Sequence, residues 1–447
     1  MRSTCIKTGL PALYVLLLFS CSPARQISRS AQSTLLDKPG LKEAHIGISI
    51  FDADKATFLY NYQAEKYFVP ASNAKLFTLY AALHYLGDSL PGIRYAETPD
   101  SIYLLPAGDP TFLHPDFMHQ PVFDWLKKTH KELVISDGNW QEKQLGFGWS
   151  WDDYNSGYMA ERSSLPVYGN VIKWTQVIEK TENPEGKMVD DAFVYSEPEV
   201  SWKLQFNPVK GNNFIVVRDQ HDNIFHVTEG KEILRTIEVP FVTNGVLSAI
   251  DLLRDTLQKS IIYIPQNKSR QADHILYSQP LDSMLYRMMH RSDNLYAEQT
   301  LLMVSQKVLG VMNTEHIIDS LMKKDLAGIN QLPNWVDGSG LSRYNLFTPR
   351  NFIWVLQAMQ KEYPTTRLEL ILSGANKGTL AGYYKGLEGA IFAKTGTLSG
   401  QVALSGYLKT KNGKRLIFSI LVNNHQTSTT TVRRSIENFL VGLYNKY

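Results

Sequence analysis

The sequence predicts an α/β (α+β) protein: an antiparallel sheet flanked by helices and interrupted by a large β-rich insertion. Three observations point there. First, Val69-Pro70-Ala71-Ser72-Asn73-Ala74-Lys75-Leu76-Phe77-Thr78 runs on through Leu79, Tyr80, Ala81, Ala82 and Leu83. Pro70 suits a helix opening, and the residues beyond Lys75 are apolar on nearly every face, so this helix lies inside the domain. Second, Ala390 to Ala393, Ala403 to Lys409 and Leu416 to Val422 read as strands, with the hairpin turn Asn412-Gly413 between the last two. A helix from Thr429 to Tyr447 comes next, whose stripe of Val432, Ile436, Phe439, Leu440 and Leu443 is built to pack on a sheet. Third, from about Pro99 to Pro265 turn residues are frequent and short β-like runs recur, as at Ser101 to Leu105, Glu132 to Ile135 and Phe214 to Val217.

The chain has 447 residues, 43% apolar and 20% charged, enough for more than one domain. Its net charge is +3 with no basic block, so nothing points to nucleic acid. Arg2, Lys7 and the apolar run Leu10 to Phe19 make residues 1–20 a targeting segment, too short to span a bilayer comfortably. That segment ends in Leu18-Phe19-Ser20-Cys21, which resembles the lipobox of bacterial lipoproteins. The resemblance implies a lipid-anchored Cys21, a membrane partner and export to the periplasm or cell envelope. Cys5 leaves with the signal, so Cys21 is the only thiol that remains and no internal disulfide can form.

Residues 21–40, polar with Ser, Gln and Pro, read as a tether. Ile46 to Phe51 and Thr57 to Tyr60 form a hairpin across Asp52-Ala53-Asp54-Lys55. Residues 41–98 and 266–447 are expected to make one catalytic domain, and residues 99–265 an inserted accessory region of one or two subdomains. Helical spacing returns with Met284, Leu285, Met288 and Met289, and again with Leu295, Tyr296, Leu301 and Leu302, with a break at Arg291 to Asn294.

Ser72 and Lys75 share one face of the first helical turn, where a serine beside an amine and free backbone N–H groups is placed for nucleophilic attack. The tetrapeptide alone proves little, because Ser320-Leu321-Met322-Lys323 matches it in an ordinary amphipathic stretch. Two further motifs come later in the chain, in order. Ser292-Asp293-Asn294 falls among helices, and Lys394-Thr395-Gly396-Thr397 ends a strand. The second Lys-Thr-Gly, Lys7-Thr8-Gly9, lies in the signal. None of the 11 histidines has a motif for a Ser-His-Asp arrangement, and neither a metal motif nor a cofactor motif is present.

The ordered set Ser-x-x-Lys, Ser-x-Asn and Lys-Thr-Gly resembles the penicillin-binding proteins and serine β-lactamases, which implies a β-lactamase/transpeptidase-like fold. The insertion narrows the resemblance, with Ala107-Gly108-Asp109-Pro110-Thr111, Trp149-Ser150-Trp151-Asp152-Asp153 and Asp337-Gly338-Ser339-Gly340-Leu341-Ser342-Arg343. Together these look like class C low-molecular-mass penicillin-binding proteins, D-alanyl-D-alanine carboxypeptidases that also act as endopeptidases. The resemblance implies peptidoglycan stem peptides as substrate, β-lactam antibiotics as inhibitors and an acyl-enzyme at Ser72. It makes Lys75 the base, Ser292 the proton relay, Asn294 the group orienting Lys75, and Lys394 with Thr395 the binders of the terminal carboxylate. The N–H groups of Ser72 and Thr397, beside Gly396, become the oxyanion hole. Asp153, Tyr158, Arg343 and Ser399 fall where the family binds the diaminopimelate side chain. Here Tyr158 replaces a frequent Phe, and Ser399 stands where some members have Gln. A β-lactamase or esterase would share the core motifs without needing the insertion or the stem-peptide positions. A penicillin-binding sensor or inert scaffold would need a membrane span or broken motifs.

Overall fold

The computed structural model describes residues 23–265 and 272–447. The expected targeting segment and Cys21 lie outside the described residues. The expected tether does not match: Pro23–Ala31 is an α-helix and Gln32–Leu36 a π-helical turn. Ile27, Ala31 and Leu35 recur every four residues and are buried together with Leu41 against the C-terminal helix Thr429–Lys446 and the main sheet. That i, i+4 spacing holds the segment down, although the residues between are polar.

The main sheet has six strands, all paired antiparallel. Their spatial order is Ser373–Gly374, Ile391–Leu398, Gln401–Lys409, Arg415–Asn423, His45–Asp52, Thr57–Tyr62. Alternate side chains of the central strand serve two cores, as the period of two requires. Ile417 and Leu421 join the core with Leu76, Phe77, Phe352 and Leu356 of the helices Lys75–Tyr85 and Pro349–Glu362. Leu416, Phe418, Ile420 and Val422 face Val432, Ile436, Phe439 and Leu440 of the terminal helix. Gly413 takes φ +83° in the hairpin turn, and the Asp52 carboxylate accepts from the N–H groups of Asp54 and Lys55 in the other. The strand expected at Ala390 to Ala393 reaches Leu398 and carries the Lys394-Thr395-Gly396-Thr397 motif inside it.

A second, mixed sheet runs Ile261–Tyr263, Glu132–Ile135, Ser101–Pro106, Ser89–Glu97, His274–Pro280. It takes two strands from outside residues 99–265, so the expected limits pass through this sheet. Two three-stranded sheets complete the insertion. One is Lys203–Phe206, Ile224–Thr228, Ile215–Arg218; the other is Leu234–Pro240, Val171–Glu182, Met188–Glu197. A single apolar cluster containing Trp174, Phe225, Phe241 and Ile93 joins all three sheets, which makes the insertion a rigid support.

Candidate active site

Ser72 sits in a 3-10 turn, Ala71–Ala74, that feeds directly into the buried helix Lys75–Tyr85. Ala71 adopts φ +47°, a left-handed conformation that an L-residue holds only where its surroundings impose it. Gly340 helps impose it. A Cβ there would lie 1.9 Å from the Ala71 carbonyl oxygen, and Gly340 itself takes φ +80°. Gly396 crowds the other side, its would-be Cβ 2.6 Å from the Pro70 carbonyl oxygen. The Asn73 amide donates to the Lys394 carbonyl at 3.0 Å. The turn carrying Ser72 is thus clamped between the Gly340 loop and the Lys394 strand.

Lys75 is completely buried. Its ammonium donates to Ser72 Oγ at 3.0 Å, Asn294 Oδ1 at 2.6 Å and the Ser339 carbonyl at 2.7 Å. Burial drives its pKa down to about 8 against the opposing pull of Asp293, Asp337 and Glu298. Lys394 is equally buried and donates to Ser292 Oγ at 2.8 Å and the Thr395 carbonyl at 2.7 Å. Burial first, then Lys75 and Arg433, push its pKa well below the usual lysine value.

Ser292 ends the helix Leu281–Arg291 in a left-handed conformation, φ +59°. Asp293 caps the next helix, Asn294–Leu309, by accepting from the Tyr296 N–H at 2.9 Å. The expected break is therefore a joint between two helices, and it aims Ser292 and Asn294 at the two lysines. The Asn294 amide also donates to the Tyr158 carbonyl at 2.9 Å, which ties the insertion to the motif.

The Asp337 carboxylate organises the glycine-rich loop. It accepts from the N–H groups of Gly340 (2.8 Å) and Ser342 (2.6 Å), the Asn345 amide (2.7 Å) and the Trp149 indole (2.9 Å). Glu298, fully buried, accepts from the Ser339 N–H at 2.7 Å and from Arg162 at 3.4 Å. Burial and the nearby Asp337 raise its pKa to about 7, against the pull of Arg162. Glu298 thus grips the residue whose carbonyl holds Lys75. Sequence reasoning did not single out Glu298 or Arg162; the available signal was one acid inside the apolar run Leu295 to Val304.

A cleft of about 620 Å³ opens beside Ser72. Its walls bring together Ser292, Asn294, Asp153, Tyr158, Arg343, Thr397 and Ser399 with Ser72. Lys75, Lys394, Thr395 and Gly396 are buried behind that wall. Asp153 lies in the short 3-10 turn Trp151–Asp153, and Tyr158 in Gly157–Met159. Burial and the Asp153 carboxylate raise the Tyr158 phenol. Arg343 donates to Gln401 Oε1 at 3.2 Å and reaches the Ser399 carbonyl at 3.5 Å. Arg433, from the terminal helix, donates to Thr397 Oγ1 at 2.8 Å; it too escaped the sequence reading, because one arginine on an amphipathic helix carries no signal.

A serine hydroxyl bonded to a buried amine, on a six-stranded antiparallel sheet between helices, defines the class: serine acyl-transfer enzymes of the penicillin-binding kind. Within that class the chain belongs to the D-Ala-D-Ala carboxypeptidase 3 (S13) family, whose model matches residues 28–446. A D-alanyl-D-alanine carboxypeptidase of Actinomadura sp. (strain R39) is 30% identical over 91% of this chain and 84% of its own length. One from Haemophilus influenzae is 23% identical over 90% of this chain and 91% of its own. The crystal structure of penicillin-binding protein 4 from Haemophilus influenzae shares the fold, with TM-score 0.72 at 20% identity over 94% of this chain and 98% of that one. The chain is a class C low-molecular-mass penicillin-binding protein and a serine peptidase of peptidoglycan, so its substrate lies in the bacterial cell wall. Among the described residues no helix is long and apolar enough to cross a membrane.

Proposed function

We propose that Ser72 is the nucleophile that cleaves the terminal D-Ala-D-Ala bond of stem peptides, or the equivalent bond of a cross-link. The single observation that carries this is the Lys75 amine 3.0 Å from Ser72 Oγ with its pKa pushed to about 8. About a tenth of Lys75 is then a free amine at pH 7, far more than for an ordinary lysine, and that form takes the hydroxyl proton as Ser72 Oγ attacks the carbonyl carbon. The oxyanion forms against the N–H groups of Ser72 and Thr397. Each such donor is worth roughly 3 kcal/mol in comparable sites. When the intermediate collapses, Ser292 passes a proton to the leaving amine and D-Ala departs, leaving an ester at Ser72. Water then attacks the ester and frees the shortened peptide.

Lys394, Thr395 and Arg433 gather positive charge and donors for the terminal carboxylate. Asp153, Tyr158, Arg343 and Ser399 offer a zwitterionic pocket for the amine and carboxylate of a diaminopimelate side chain. A lipidated Cys21, two residues before a helix that packs on the domain, would hold the enzyme close to a membrane surface. The test incubates the protein with defined stem peptides and, separately, with labelled penicillin. Release of D-Ala together with a long-lived penicilloyl ester on Ser72 supports the reading. Rapid penicillin turnover without peptide cleavage makes the chain a β-lactamase and sinks it.

A further inference from the structure

The segment Gly148–Tyr154 is a wall with two sides. Gly148, Ser150 and Asp153 line the Ser72 cleft. Trp151 and Tyr154 line a second cleft, about 470 Å³, which extends into the insertion. Its other walls include Lys143, Gln144, Gln220, His221 and Asn244. The wall is held in place from within. The Trp149 indole is tied to Asp337 at 2.9 Å, and the Arg162 guanidinium lies 5.5 Å from the Trp149 ring centre. Two residues later Trp151 lines the other cleft and is 69% exposed.

The chemistry of this second cleft is specific. The charged groups in its floor are consumed by the protein. Arg218 donates to the carbonyls of Pro240 (2.8 Å), Asp219 (2.8 Å) and Gln220 (3.0 Å). Glu161 accepts from the N–H and hydroxyl of Thr243, both at 2.8 Å. What remains for a ligand is a flat indole face and a rim of neutral amides, with the His221 imidazole and the exposed Lys143 ammonium beside them. A pyranose ring meets both needs: its C–H face stacks on an aromatic ring, and its hydroxyl and acetamido groups bond to amide side chains. A stem peptide of four or five extended residues covers roughly 13–18 Å, and the one segment Gly148–Tyr154 lines both clefts, so the two are neighbours across a single stretch of chain. In peptidoglycan the other end of that peptide is attached to an N-acetylated hexosamine.

We propose that the Trp151 cleft binds the N-acetylhexosamine from which the stem peptide hangs, so that the enzyme prefers glycan-linked stems to free ones. This rests on the peptidase reading of the Ser72 cleft, and the experiment separates the two. Steady-state cleavage is measured for a free D-Ala-D-Ala pentapeptide and for the same pentapeptide on its disaccharide. The tests use wild type, Trp151→Ala, Trp151→Phe and Gln220→Ala. The wild type should show a KM about tenfold lower for the disaccharide-peptide, the effect of one good stacking contact. Trp151→Ala should erase that difference while free-pentapeptide kinetics stay at the wild-type level, Trp151→Phe should keep most of it, and Gln220→Ala should reduce it. Titration with N-acetylglucosamine tetrasaccharide should change the tryptophan fluorescence of the wild type and not that of Trp151→Ala. Equal KM values for the two substrates in wild type, or equal losses on both in Trp151→Ala, overturn the proposal. So does a fluorescence change with free pentapeptide but none with the tetrasaccharide, which would assign the cleft to a second peptide. No cleavage of either substrate by wild type would instead sink the peptidase reading.

Discussion

Ser72-Asn73-Ala74-Lys75 and Ser320-Leu321-Met322-Lys323 are the same motif in two settings. The second lies on the helix Thr314–Lys324, which buries Ile317, Ile318 and Leu321 and leaves Lys323 in solvent. Its lysine lies in solvent, away from any burial that would perturb it or a serine it could activate in a cleft. The first is clamped at its start by Gly340 and Gly396, and its lysine is buried beside Ser72. Removing an ammonium from water costs several kcal/mol, and three hydrogen bonds offset part of that. The unrecovered part appears as the lowered pKa. The tetrapeptide therefore supplies a nucleophile and an amine in reach of each other; burial and partners from three distant segments turn them into a reactive pair.

The largest effect expected from this contrast is all-or-none. Ser72→Ala should abolish covalent penicillin labelling and D-Ala release, while Ser320→Ala should leave both at the wild-type level. Labelling that survives in Ser72→Ala and vanishes in Ser320→Ala would invert the comparison. Next comes the clamp. Gly340→Ala puts a Cβ against the Ala71 carbonyl in a left-handed backbone, so it should destabilise the fold by roughly 3 kcal/mol and lower kcat sharply. Gly382 has φ +81° but open space around its Cβ position, so Gly382→Ala should cost only about 1 kcal/mol. Equal melting temperatures for the two variants would mean that Gly340 clamps nothing. Arg433 and Arg434 give a smaller contrast on one helix: Arg433 reaches Thr397, whereas Arg434 pairs with Glu437. Arg433→Gln should raise KM for D-Ala-D-Ala peptides about tenfold, the value of one charge-assisted bond, and Arg434→Gln should not.

Much of this was legible in the sequence because it depends on periodicity and on order along the chain. The buried helix after Ser72, the C-terminal hairpin at Asn412-Gly413 and the stripe of Val432, Ile436 and Phe439 are each encoded within a short local stretch. The three motifs could be read as a set, and the structure bonds Lys75 to Ser72 and Asn294, bonds Lys394 to Ser292, and ties the Ser72 turn to the Lys394 strand through Asn73. What escaped is what depends on contacts between distant segments. Ile27, Ala31 and Leu35 look like scattered apolar residues in a polar tether until the terminal helix offers them a surface. His274–Pro280 pairs with Ser89–Glu97 across the whole insertion, a register no local pattern encodes. Glu298 and Arg162 come from different regions, and neither has meaning without the other.

Glu298 also gives the subtlest test of how burial tunes the reactive pair. Its charge favours the ammonium form of Lys75, while its own pKa, raised to about 7, means it acquires that charge just where the enzyme works. As pH rises, Glu298 ionises first and then opposes loss of the Lys75 proton near 8. Glu298→Gln keeps an acceptor for the Ser339 N–H but carries no charge at any pH. Lys75 should then lose its proton at lower pH, and the rising limb of penicillin acylation against pH should move down by roughly one unit with little change in its plateau. Stability gives an independent readout with a fixed sign. A carboxyl whose folded pKa is raised stabilises the fold below its unfolded value near 4.5, and that contribution is lost as pH rises through about 7. The stability of wild type relative to Glu298→Gln should therefore fall between those two values, by at most about 3 kcal/mol. A limb that stays put, or moves to higher pH, would mean that Lys75 is tuned by its own burial and hydrogen bonds alone. The buried acid would then serve only to hold Arg162 and the Ser339 loop in place.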